Sequence, residues 1–155
     1  MEQKPQKRHK SLQPLSKEHH YGLLLSWKIR AGLRKNIALK RIHVYAHWFY
    51  ENHLIPHFEV EEHCVFTILG DDNKLVKRAL ADHRRLGRLF SKETDCLKAL
   101  SNIEEELEQH IRFEERVLFP EIQKVATEEQ LEQIEKKHHP TDGKFQDKLD
   151  DEFWK

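Results

Sequence analysis

"VKRALADHRRLGRLF", residues 76 to 90, decides the fold. Val76, Ala79, His83, Leu86 and Phe90 recur at spacings of three, four, three and four, the stripe that one helix face presents to a bundle core. One member, His83, is polar. The same spacing runs through Leu100, Ile103, Leu107, His110, Glu114 and Val117, and through Tyr50, Leu54, His57, Glu61, Cys64 and Ile68. Nearer the start, His20, Leu24, Trp27 and Ala31 make a fourth stripe. Each segment therefore carries polar residues on the face that should be dry.

The fold class follows from this periodicity: all-α, an up-down-up-down four-helix bundle with a short additional C-terminal helix and tail. Five glycines and five prolines leave little punctuation, and no β-type alternation competes. The patterns predict helices over 16–33 with Ser16 as N-cap, then 37–69, 73–91 and 95–125, followed by a short fifth helix stopped by Pro140. Pro56 should kink the second of these. Residues 1–13 read as a disordered basic lead and 14–126 as the bundle. Residues 127–155 read as a helix and tail whose Phe145, Phe153 and Trp154 dock on the bundle or on a second copy.

Lysine plus arginine (27) balances aspartate plus glutamate (27), which gives no electrostatic case for nucleic acid or an acidic membrane surface. No apolar run approaches a membrane span or a signal core. Cys64 and Cys96 form no CxxC pair and no disulfide framework. The expectation is a soluble, cytoplasmic monomer or homodimer.

"HFEVEEH" (57–63) and "HIRFEER" (110–116) each set a histidine four residues before a glutamate, so that both side chains point the same way from a helix. Burying an unpaired carboxylate costs several kcal/mol or neutralises the group. A core with two glutamates and four histidines therefore needs a partner, and a metal ion supplies one. Six ligands are too many for one tetrahedral zinc. They suit two ions of higher coordination number, bridged by the two carboxylates and a solvent-derived oxygen. Two iron ions are the sharper expectation, with zinc or manganese as substitutes. Register agrees for the second and third helices, because residues 59 and 83 are equidistant from residue 71, inside the turn "GDDN". Between the third and fourth helices the midpoint falls near 97, a few residues beyond the expected turn at 91–95.

The ordered set His20, His57-x-x-x-Glu61, His83, His110-x-x-x-Glu114, with "FEERVLFPEI" following His110, resembles the hemerythrin-like, or HHE cation-binding, family over residues 14 to 125. The resemblance implies a non-haem di-iron centre between four helices, ligated by His20, His57, Glu61, His83, His110 and Glu114. His19 competes with His20 for the first position. Oxygen-carrying hemerythrins place a second histidine where this chain has Gly87, and use HxxxxD where it has HxxxE. Its set is closer to bacterial di-iron proteins of the iron-sulfur-centre repair type and to iron-responsive domains. The implied function is binding, sensing or reducing a diatomic ligand, O2 or NO, or responding to iron. That is a gas- and metal-binding role before that of a dedicated enzyme, with no electron donor identified. The alternative is a non-redox helical interaction module with a structural metal or none.

The remaining histidines read differently. His43 and His47 lie ten or more residues upstream of His57, about 15 Å along the axis, and suit packing or hydrogen bonding near the bundle end. His53, His63, His138 and His139 read as solvated. Trp27 and Tyr50 read as core filler.

Overall fold

The computed structural model describes residues 7–138 and 151–155. Among these the secondary structure is helical without strands. The first bundle helix is α1 (Gln13–Arg34). The second runs over 39–68 as α2 (Leu39–Phe49), a π turn (Tyr50–Leu54), α3 (Ile55–Val60), a second π turn (Glu61–Val65) and a 3-10 turn (Phe66–Ile68). The third is α4 (Lys74–Phe90). The fourth joins α5 (Cys96–Phe113) through a π turn (Glu114–Leu118) to α6 (Phe119–Val125). A short α7 (Glu128–Lys137) follows, started by a Thr127–Gln130 capping box. Connections over 35–38, 69–73 and 91–95 are too short for anything but antiparallel neighbours. None of these helices is long and apolar enough to cross a membrane.

Helix starts follow local chemistry. The Asn73 side chain accepts from the Leu75 and Val76 amides, capping α4. The first helix departs from expectation: it begins at Gln13, not Ser16, because Pro14 in the first turn loses no hydrogen bond there. Ser16 instead donates its hydroxyl to Glu115. The interruption expected at Pro56 takes the form of the π turn Tyr50–Leu54, which contains the Asn52 carbonyl that Pro56 cannot bond. Pro120 follows the π turn Glu114–Leu118 in the same way. The register offset between α4 and α5 is taken up in residues 91–95, where Asp95 adopts a left-handed conformation (φ 52°).

The inner face of α1 is rotated by one residue from the one the sequence suggested. Leu15, His19, Gly22, Ser26 and Ile29 are buried, whereas His20 is exposed and Trp27 is 51% exposed, so Trp27 is not core filler. Gly22 permits close approach to α5: a Cβ there would lie 2.7 Å from Ile111 Cδ1.

Two apolar clusters form. One gathers Leu25, Ile29, Ile42, Phe49, Leu86, Phe90, Leu100 and Ile103; the other gathers Leu15, Phe66, Val76, Ala79, Leu118, Phe119, Ile122 and α7's Ile134. The tail docks on the first cluster. Phe153 is buried on Gly32 and Ile42, Lys28 lies 3.9 Å over the Trp154 ring, and Arg41 pairs with Asp151. Phe145, His139 and Pro140 lie outside the described residues. The lead, expected to be disordered through residue 13, packs on α6 over its described part: Arg8 donates to the Glu115 carbonyl and to Gln123, and Leu12 is fully buried.

Candidate metal centre

Between the two apolar clusters lies a polar layer. Glu61 and Glu114 are 0% exposed, and His19, His57, His83 and His110 are nearly so. Of the six ligands expected from the sequence, His57, Glu61, His83, His110 and Glu114 come together here; His20 does not, and His19 stands in its place. The physical reason is the rotation of α1: only His19 shares a face with Leu15, Gly22 and Ile29.

The layer divides into two groups of four whose potential ligand atoms lie within 4.8 Å of one another. His19 and His57 form one group with Glu61 and Glu114; His83 and His110 form the other with the same two glutamates. Glu61 Oε2 is 3.2 Å from His57 Nε2, and its Oε1 is 3.2 Å from His83 Nε2. Glu114 Oε1 is 2.9 Å from His19 Nε2 and 3.5 Å from His110 Nε2. Each carboxylate thus spans the two groups, as a bridging ligand must.

The outward ring nitrogens are all engaged. His19 Nδ1 lies 2.6 Å from Glu115, His57 Nδ1 2.8 Å from Glu18, His83 Nδ1 2.7 Å from Glu62 and His110 Nδ1 2.9 Å from Asp82. An ionised carboxylate only accepts, so each Nδ1 carries the proton and donates, which directs Nε2 into the layer. The four bonds close a ring: Glu18 on α1 serves the second helix, Glu62 there serves α4, Asp82 on α4 serves α5, and Glu115 returns to α1. Sequence reasoning missed these four acids. A signal existed, since each adjoins a candidate ligand in the chain, but its target lies on the next helix.

Aromatic rings brace the imidazoles. Phe58 stacks on His83 at 3.8 Å and Phe119 on His19 at 5.4 Å. The inward atoms lack such support. His57, His83 and His110 Nε2, both Glu61 oxygens and Glu114 Oε2 are buried with no partner in hydrogen-bond geometry. Orphaned buried donors and acceptors are costly, and six in one layer exceed what a folded core tolerates unexplained. Imidazole nitrogen and carboxylate oxygen suit iron, zinc or manganese, so the residues present fit a metal pair.

The electrostatics are strongly coupled. Burial opposes charge on His57, but the Glu61 and Glu18 carboxylates outweigh it and hold the imidazolium up to about 9. Burial likewise opposes charge on His110, and Glu114 and Asp82 lift it to about 10. His19 and His83 are raised for the same reasons. Glu61, despite burial, is held well below the usual carboxylate range by His57, His19 and His83.

Cavities adjoin the layer. One of about 20 Å³ is lined by site residues His19, His57, His110 and Glu114 together with Phe49, Leu54, Phe58, Leu107 and Ile111. A second, of about 220 Å³, lies outside it between α1, α3 and the end of α7.

The other histidines divide. His138, expected to be solvated, is buried and bonds Glu18 at 3.0 Å; His53 is half-buried against Trp48 and Phe49; His63 is exposed. His43 donates to the Lys92 carbonyl near the bundle end, and His47 pairs with Glu51 at 3.7 Å. Cys64 and Cys96 are free thiols.

Fold and site together define an all-α bundle whose buried histidines and glutamates could hold a metal. Residues 91–150 match the family model of the hemerythrin HHE cation binding domain, so that stretch is similar to this family. The match takes in His110 and Glu114 but not His19, His57, Glu61 or His83. No curated protein and no solved structure matched the chain.

Proposed function

We propose that the chain is a hemerythrin-like non-haem di-iron protein that binds, senses or reduces a small diatomic ligand, O2 or NO. His19 and His57 would hold one iron, His83 and His110 the other, with Glu61 and Glu114 shared by both. The observation that carries this reading is the pair of four-residue groups sharing both buried glutamates. Two irons supply open coordination positions and electrons for a small ligand. The chain's own part is to hold four imidazoles with Nε2 inward, exclude bulk water and limit access. A cavity of about 20 Å³ admits roughly one water-sized body, since one water needs about 10–15 Å³, so it favours a diatomic over an organic substrate. Zinc or manganese would fit the same donors. Reduction would also require an external electron donor.

The test is metal analysis with an absorption spectrum. Protein purified after expression with iron should contain about two irons per chain, with near-ultraviolet bridge absorption that disappears in Glu61→Ala. Protein that takes up no Fe(II) and melts at the same temperature with and without it would overturn the reading in favour of a metal-independent helical module.

A further inference from the structure

Glu18 differs from the other acids that orient the site histidines. Its Oε1 accepts from His57 Nδ1 at 2.8 Å and also from His138 Nε2 at 3.0 Å, so a second imidazole, from the end of α7, holds the carboxylate that orients the first. We propose that His138 is a positioning residue for the metal layer: through Glu18 it fixes His57, and it makes the place between His19 and His57 the tighter of the two metal positions.

His138 is buried, yet its Nδ1 has no hydrogen-bond partner, and the bond to Glu18 is the one hydrogen bond its ring makes among the described residues. An apolar side chain would fill that place without leaving a buried nitrogen unpaired, so what the imidazole supplies is the donor. Its backbone is held as well. The His138 amide donates to the Ile134 carbonyl at 2.9 Å, and Ile134 is fully buried in the cluster that contains Leu15 and Phe119. The end of α7 is thereby fixed against the same stretch of α1 that carries Glu18 and His19.

The two metal groups are supported unequally. Around His19 and His57, Glu18 takes two imidazole donors, and Glu115, besides His19, accepts from the Ser16 hydroxyl at 2.8 Å and from Arg8 at 3.4 Å. On the other side, Glu62 accepts from His83 and Asp82 from His110, and neither takes a second donor among the described residues. Glu62 is also the more open, its side chain 39% exposed against 22% for Glu18. A carboxylate already held by several donors needs less ordering when its imidazole binds a metal, and outer partners of this kind change metal affinity by about 10–100-fold.

This inference rests on the proposed metal pair. The experiment is titration of metal-depleted protein with Co(II), followed by visible absorption and calorimetry. Wild type should fill in two steps, the tighter lost in His19→Leu and the weaker in His83→Leu. His138→Ala should weaken the tighter step by about 10–100-fold and leave the weaker unchanged, and His138→Gln, whose amide can donate to Glu18, should restore it. Ile134→Ala, which loosens α7 without touching Glu18, should lower the melting temperature but change neither step. If His138→Ala does not fold, His138→Phe, which fills the place without a donor, decides instead. Two equal steps in wild type would overturn the inference, as would an unchanged tighter step in His138→Ala or the same weakening in Ile134→Ala. Wild type that binds no Co(II) would instead refute the metal reading, and the positioning role with it.

Discussion

Toward the tail, the helices are regular and their meeting faces are apolar: α2 remains α-helical through Phe49, and Phe153 plugs the gap between Gly32 and Ile42. Toward α7, the second and fourth helices widen into π turns that begin at Glu61 and Glu114, the two glutamates of the layer. The apolar half is satisfied by close packing that tolerates any orientation of an aliphatic side chain within its stripe. The layer is not, because a carboxylate must face two imidazoles on different helices, and a π turn re-aims a side chain without ending the helix.

The largest separation of the two halves comes from the ligand that the sequence misplaced. His19→Ala should abolish binding in one of the two metal groups, roughly halving or eliminating iron content, while His20→Ala leaves it intact; inductively coupled plasma analysis of both variants reads this directly. Next comes Phe153→Ala, which should cost about 3–5 kcal/mol in urea unfolding, as for other buried aromatic truncations, without altering iron content.

A third contrast is pH. In metal-depleted protein, His57 and His110 are raised from the ordinary 6.5 to about 9 and about 10, so their contribution is complete below about 6.5 and lost as pH rises through 9 and 10. Glu18 behaves oppositely. Burial raises it, but bonds from His138 and His57 bring it from 4.5 to about 2, so its contribution holds above about 4.5 and is lost toward 2. Stability of the depleted protein should therefore peak between roughly pH 4.5 and 6.5, each group contributing at most about 1.4 kcal/mol per pH unit within its window. Thermal melts across pH should show this window sharply in wild type and flattened in His83→Leu/His110→Leu. The smallest effect is expected outside both halves: Trp27→Ala should change stability by less than about 0.5 kcal/mol.

The sequence is legible where its signal is local. The stripe Val76–Phe90 is amphipathic within five turns, and both His-x-x-x-Glu pairs lie on one helix face whatever surrounds them. It failed on α1, where Leu15, His19, Gly22, Ser26 and Ile29 also follow spacings of four and three. Small residues at a close helix crossing look polar when read as hydropathy, and they hid that face behind the more apolar His20, Leu24, Trp27 and Ala31. Burial of His138 was equally illegible, since its partner Glu18 lies 120 residues away.

By itself, then, the sequence determined that this chain is helical, that three of its helices carry polar residues on their inner stripes, and which five of the six clustered side chains those are. A helical repeat is a short-range property, and spacing alone reveals it. Only the tertiary structure decided which of two adjacent histidines completes the layer, that both glutamates are shared between two groups, and that a ring of neighbouring acids turns every imidazole inward. Each of these depends on the rotation of one helix against the next. That rotation is fixed by packing across the bundle, where one residue of shift turns a side chain by 100°.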